Sequence, residues 1–245
     1  MPRSNFSQKA NDYDSQAYVQ LKAAASLIDQ ALPYLNSTGI KAADLGCGTG
    51  VIGKIAKEKI ANLTLNNCDI SEPMLQIAHE SLGNNNFTYS NRSVPEDSGY
   101  DLITSNFALQ WYDDLSTTLE SCIQKLNVNG ILAVSLPIEG SFPLLKEAFK
   151  HVGAEDYFFK FPNLNAIKLT LCNCEILAEE IIDEDIEFNC TFELFKNLHT
   201  IGANQKDKRL PVNKLRKLIK YHDELFDGKI IVTYKILKLI AKRVS

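Results

Sequence analysis

The stretch "AADLGCGTGVIGK", residues 42–54, decides the fold. An apolar run ends at Asp44, and glycines follow at 46, 48, 50 and 53. Lacking Cβ, glycine accepts positive φ and lets a ligand approach the main chain. "IKAADL" (40–45) before the loop reads as a buried strand. Residues 51–60 after it read as a helix with Val51, Ile52, Ile55 and Ala56 on one face. The glycines therefore form a strand-to-helix turn, and two ligand patterns overlap in it. Gly48-Thr49-Gly50-Val51-Ile52-Gly53 fits the dinucleotide pattern G-x-G-x-x-G. Asp44, Gly46, Gly48 and Gly50 fit D-x-G-x-G-x-G instead.

Outward from the loop, strand and helix patterns alternate. "LTLNNCD" (63–69) is a second strand and "SEPMLQIAHESL" (71–82) a helix with Ser71 at its N-cap. "FTYS" (87–90), "YDLITSN" (100–106) and "ILAVSL" (131–136) are further strands. A helix lies near 115–126, and Asn129-Gly130 marks a turn. Strands spaced by helices make βαβ units, hence a mostly parallel sheet with helices on both faces. Residues 17–32 have helical spacing at Tyr18, Leu21, Ala25, Ile28 and Leu32. "IIVTYKILKLIAKR" (230–243) reads as a closing strand, and another lies near 176–190 among inserted helices. The class is Rossmann-like α/β.

Two acids choose between the ligand patterns. A dinucleotide sets its diphosphate on the loop at the helix N-terminus, and the Asp44 carboxylate would oppose that anion. A sulfonium nucleoside brings cations, which the same carboxylate attracts, more strongly as water is excluded. Asp69 ends the second strand, where an acid accepts hydrogen bonds from both ribose hydroxyls. That serves either nucleotide, but supports an adenosine over a bare phosphate.

Composition bounds the rest. The chain has 245 residues, 45% hydrophobic and 23% charged, with a formal net charge of −4. Nothing global points to nucleic acid. No apolar run reaches the roughly 18 residues of a membrane span, and residues 1–14 lack a secretory core. The expectation is a soluble cytoplasmic protein without membrane contact. The six cysteines form no C-x-x-C pair and, with few histidines, give no metal site. They read as free thiols packed as small apolar residues.

"DLGCGTG" (44–50), "DISEPML" (69–75) and "DLITSNFALQW" (101–111) resemble motifs of class I S-adenosylmethionine-dependent methyltransferases. "FSQKANDYDSQAYVQ" (6–20), "GSFPLLKEAF" (140–149), "LHTIGANQ" (198–205) and "VTYKILKLIAKR" (232–243) resemble the malonyl-acyl-carrier-protein O-methyltransferases of biotin synthesis. The resemblance implies a single domain over 1–245, with an antiparallel last strand. Its parts are N-terminal lid helices (1–36), a cofactor-binding core (37–138), helical substrate-covering insertions (139–175 and 192–228) and a final strand (229–245).

The resemblance also assigns roles. Asp44, Gly46 and Gly48 would line the methionine portion of S-adenosylmethionine, which leaves as S-adenosylhomocysteine, and Cys47 and Gly50 would belong to the same cofactor site. Asp69 would hold the ribose, with Ile70 and Met74 against the adenine. Asn106 and Phe107 would lie under the methionine part, and Tyr13 would close over it. Gln110 and Trp111 would face the substrate. Asn91 stands where relatives often carry an acid for the adenine amino group, and Lys160-Phe161 where they carry Arg-Phe. Lys160 and Arg209 are the candidates for the substrate carboxylate, Lys being less directional than Arg. The implied partner is acyl carrier protein bearing malonyl-phosphopantetheine.

A carboxylate is already ionised at neutral pH, so no catalytic side chain is required and Cys47 is packing. Other acceptors compatible with these motifs are small acids such as trans-aconitate. An NAD-dependent oxidoreductase is the alternative that uses the overlapping glycine pattern. Charge is uneven: 206–220 holds seven bases and one acid, and 175–187 holds seven acids and no base. A basic helix near the site would steer an acidic carrier protein.

Overall fold

The computed structural model describes residues 17–35, 39–200 and 210–245. Tyr13 and Arg209 lie outside the described residues, as does most of "LHTIGANQ". Five parallel strands form the core: β1 (Lys41–Leu45), β2 (Thr64–Cys68), β3 (Phe87–Ser90), β4 (Tyr100–Asn106) and β5 (Leu126–Pro137). β6 (Cys174–Phe188) and β7 (Ile230–Arg243) complete one sheet in the order β3-β2-β1-β4-β5-β7-β6. β7 runs antiparallel to both neighbours, as the resemblance implies.

The pleat explains the apolar runs. Ala42, Leu102, Ile131 and Ala133 face one apolar cluster; Ala43, Ile103, Leu132 and Val134 face another. Successive residues point to opposite faces, and both faces are covered, so the strands lack polar alternation. The first cluster packs α1 (Tyr18–Ala31), α2 (Val51–Lys59) and α3 (Glu72–Leu82) on the sheet. The second packs α4 (Leu115–Lys125) and α6 (Leu164–Thr170) on the other face. A third, largely aromatic cluster joins α5 (Pro143–His151), α7 (Thr191–Thr200) and α8 (Val212–Glu224) to the ends of β6 and β7.

Three expectations change. The buried face of α1 carries Val19, Gln20, Ala23, Ala24, Leu27, Ile28 and Ala31, while Tyr18 is exposed. The alanines let the helix approach the sheet closely, which apolar periodicity alone does not show. Asn129-Gly130 is no turn but lies within β5, which starts at Leu126 opposite Tyr100 and shifts register before Ile131. Asn129 takes φ +67° there, and a Cβ on Gly130 would sit 2.9 Å from the Tyr100 carbonyl oxygen. Finally, α6 packs on α4 through Ile167 and Leu171. Of residues 139–175 it is Phe142, Phe159 and Phe161 that reach the site cavity.

Candidate functional site

Strand order reverses between β1 and β4. Neighbouring connections leave there in opposite directions and open a crevice at the carboxyl ends of the strands. The loops after β1, β2 and β4 meet in it. Gly46 and Cys47 N–H groups donate to the Cys68 carbonyl at 2.7 and 3.0 Å, which fixes the glycine loop to the end of β2.

The glycines do different work. Gly46 has φ +66°, and a Cβ on it would lie 2.2 Å from Ala108 Cβ, so this glycine lets the loop after β4 close in. Gly48 has φ +55°, and its Cβ would meet nothing within 4 Å. That is open space beside the main chain. Gly50 has φ +83°, and its Cβ would lie 3.0 Å from Leu82 Cδ1 and 3.2 Å from Ala78 Cβ. Gly50 therefore serves the approach of α3, as does Gly53, and it does not line the crevice.

Asp44 is buried, with 1% exposure. Its Oδ1 accepts from Thr104 Oγ1 at 2.9 Å, and Oδ2 has no hydrogen-bond partner among the described residues. Burial, with a smaller push from the charge on Asp69, raises its carboxyl to about 8. It lines a cavity with Ala17, Gln20, Gly46, Gly48 and Asn106. An unpartnered buried carboxylate oxygen beside open main chain suits a cation and disfavours a diphosphate.

Asp69 accepts one backbone N–H on each oxygen, from Ser71 at 2.8 Å and Gly48 at 2.9 Å. One lone pair per oxygen is left for a diol. Burial nevertheless raises its carboxyl, against those hydrogen bonds. Asp69, Ile70, Met74, Asn106 and Phe107 line the second and larger cavity, which Ser93, Trp111 and Tyr112 complete. Tyr112 donates to the Ser93 carbonyl at 2.6 Å. Ser93 and Tyr112 occupy wall that the sequence gave to Asn91. The Asn91 amide instead donates to Glu72 Oε1 at 2.8 Å, on the surface.

A third cavity shares Gln20 with the first of these and Phe107 and Trp111 with the second. Gln20, Phe107, Gln110, Trp111, Phe159 and Phe161 line it with Pro137, Phe142, Leu198 and Tyr234. Lys160 is exposed: the extended chain turns Phe159 and Phe161 inward and the lysine out. Phe107, at φ +52°, follows β4 in a conformation unusual for a bulky residue and lines both this cavity and the larger one of Asp69 and Met74. Gln110 Nε2 donates to the Phe107 carbonyl at 2.7 Å. Asn106 has its amide committed: Nδ2 donates to the Gln20 carbonyl at 2.9 Å, and Oδ1 accepts from Ser135. It pins α1 over the crevice. Cys47 is buried, and burial holds its thiol well above the usual range, so it is a poor thiolate.

All six cysteines are free. Among the described residues no cluster of three metal-ligating side chains occurs, and no helix is long and apolar enough to cross a membrane. The acids of 175–187 are largely paired. Glu175, Glu179, Glu180, Asp183, Glu184 and Glu187 each face a lysine within 4.0 Å.

A family model described as "Methyltransferase domain" matches residues 43–132. The chain is 27% identical to a Malonyl-[acyl-carrier protein] O-methyltransferase of Acetivibrio thermocellus, over 98% of this chain and 92% of that protein. It is 29% identical to Malonyl-[acyl-carrier protein] O-methyltransferase 1 of Ilyobacter polytropus, over 98% and 93%. In fold it matches magnesium protoporphyrin IX methyltransferase of Synechocystis with bound SAH, at TM-score 0.60 and 14% identity, covering 94% of this chain and 86% of that one. Phosphoethanolamine N-methyltransferase 2 of Haemonchus contortus, in complex with S-adenosyl-L-methionine, matches at TM-score 0.55 and 16% identity, over 90% of this chain and 52% of that one. With this fold, a methyltransferase-domain match over the glycine loop and similarity along nearly its whole length, the chain is an S-adenosylmethionine-dependent methyltransferase that resembles the malonyl-[acyl-carrier protein] O-methyltransferases.

Proposed function

We propose that this enzyme methylates the free carboxylate of a malonyl thioester carried by acyl carrier protein, an early step of biotin synthesis in the cytoplasm. The relatives' names motivate the substrate. The observation that supports the reading is the cavity beside the cofactor crevice: among the described residues that line it there is no Asp, Glu, His, Lys or Arg. An alcohol or amine acceptor calls for a base to take its proton, whereas a carboxylate with an ordinary value of about 4 needs none.

S-adenosylmethionine, when bound, supplies an electrophilic methyl group on a sulfonium. The chain's residues then have three tasks. Asp44 neutralises the cationic end, Asp69 accepts from the ribose hydroxyls, and Gly46 and Gly48 admit the nucleoside to the main chain. Phe142, Phe159 and Phe161 exclude water from the acceptor, whose hydration shell opposes attack. Positioning in a near-attack geometry can supply up to about 7–11 kcal/mol of the barrier reduction. We propose that the parts are the lid before residue 37, the core through 138, and the insertions whose aromatic side chains close the acceptor side.

For the carrier, we propose docking on the outer faces of α5 and α8, which pack together. Lys146, Lys150, Arg216, Lys217 and Lys220 are exposed there. Leu218, on the inner face of α8, shares an apolar cluster with Phe107, Phe142 and Leu198 of the cavity wall, which supports this choice of face. Malonyl-carrier, free malonate, trans-aconitate and acetyl-carrier are compared as methyl acceptors. Turnover confined to malonyl-carrier supports the reading; turnover on trans-aconitate and not on the carrier contradicts it.

A further inference from the structure

The acceptor cavity poses a charge problem, given the carboxylate reading on which this inference rests. An anion must be held close to the methyl donor, yet among the described residues no cationic side chain lines the cavity, and Lys160 faces solvent. Gln110 does not solve it. Its Nε2 is committed to the Phe107 carbonyl, which also fixes the amide orientation, since the flipped amide would set oxygen against oxygen. Its Oε1 is buried, without a partner among the described residues, and presents only an acceptor.

Gln20 stands differently. It lines both the acid-lined cavity of Asp44, Gly46 and Gly48 and the aromatic cavity of Trp111, Phe159 and Phe161. It is 8% exposed, and its side chain has no hydrogen-bond partner among the described residues. Its main chain is fixed, because its carbonyl accepts from Asn106 Nδ2 at 2.9 Å and Asn106 is in turn held by Ser135. Its carboxamide lines both cavities on a rigid base, so it is available to a ligand atom there.

We propose that the Gln20 carboxamide positions the acceptor carboxylate, its Nε2–H donating to one carboxylate oxygen at the junction of the two cavities. The charge-assisted hydrogen bond would fix that oxygen and direct the other toward the methyl group. A neutral donor suits this place. A cation beside Asp44 would compete with the cofactor for that acid, and a strongly bound cation would quench the attacking carboxylate. Gln110 Oε1 would then accept from an N–H further along the acceptor arm, so that the two amides give the cavity a direction.

The test compares Gln20→Leu, Gln20→Asn and Gln20→Glu with the unaltered enzyme on malonyl-carrier, and measures S-adenosylhomocysteine binding to each by calorimetry. The expected result for Gln20→Leu is a fall in kcat/KM of roughly 10- to 100-fold, with a much smaller change in S-adenosylhomocysteine affinity. Gln20→Glu loses the donor when ionised and regains an O–H donor when protonated. Its rate should therefore rise as pH falls through the neutral range, where the malonyl carboxylate stays ionised and the Gln20→Leu rate does not rise. Equal losses of turnover and of S-adenosylhomocysteine affinity would overturn the proposal by assigning Gln20 to the cofactor. Unchanged turnover in Gln20→Leu would overturn it outright. Failure of the unaltered enzyme on malonyl-carrier would overturn the carboxylate reading, and this assignment with it.

Discussion

In the proposed reading, cofactor choice turns on Asp44. Its carboxyl, held at about 8 by burial, is largely protonated at neutral pH without ligand, and a bound cation lowers it again. Binding S-adenosylmethionine therefore releases a proton, and affinity rises as pH increases toward 8. Calorimetry in buffers of different ionisation enthalpy reads that proton directly. The stability sign is opposite. The folded form keeps its proton between the ordinary carboxylate range near 4 and about 8, so this group's contribution is full at low pH and lost as pH rises through that window. Asp44→Asn should flatten that slope and melt higher at pH 8, while binding the cofactor roughly tenfold or more weakly. The glycines give a second contrast. Gly48→Ala fills open space, so it should fold with a loss of about 1 kcal/mol for its positive φ but lose cofactor affinity. Gly46→Ala drives its Cβ onto Ala108, and thermal melting should show a much larger loss.

Among the elements, α1 matters more than its polar outer face suggests. Asn106 ties it to β4 and β5. Lys238 on β7, 4% exposed, donates to Ser26 of α1 and pairs with Glu180 of β6, which Gln30 of α1 also reaches. The Lys238 hydrogen bond, then that from Gln30, lowers the Glu180 carboxyl. That contribution is present above the ordinary carboxylate range and lost as pH falls through the folded value. Glu180→Gln should destabilise by about 2 kcal/mol at neutral pH, since it leaves a buried ammonium short of its anion. Lys238→Met, which removes the buried charge, should cost less; denaturant unfolding of both variants checks the order.

The acidic run shows what sequence conveys at this scale and what it does not. Seven acids in 175–187 read as an uneven surface charge, yet the antiparallel register with β7 sets lysines opposite Glu175, Glu180 and Asp183, and lysines outside β7 meet Glu179, Glu184 and Glu187. The strands and the glycine loop were legible because apolar runs and turn chemistry are local. Gln20 was not, since a glutamine on an amphipathic helix reads as solvated until the helix is placed over a crevice. Gly50 and Asn91 fit a ligand motif, but packing against α3 claims the first and Glu72 the second. Ser93 and Tyr112 lay outside every motif, and only the closure of two loops brings them together.

For the whole molecule the proposed function joins two charge patterns: an acid-lined crevice proposed for the cationic methyl donor and a basic outer face proposed for the acidic carrier. Added salt should slow methylation of malonyl-carrier but leave a small malonyl thioester largely unaffected, because screening acts on exposed charges. Arg216→Glu with Lys217→Glu should lower kcat/KM for the carrier about tenfold and spare the small thioester. The most direct measurement is the intact mass of malonyl-carrier after incubation with the enzyme and S-adenosylmethionine, beside an acetyl-carrier control. The account predicts that malonyl-carrier gains the mass of one methylene as an ester at its free carboxylate, while acetyl-carrier is unchanged. A methyl group on acetyl-carrier, or none on malonyl-carrier from an enzyme that binds S-adenosylhomocysteine, would contradict it.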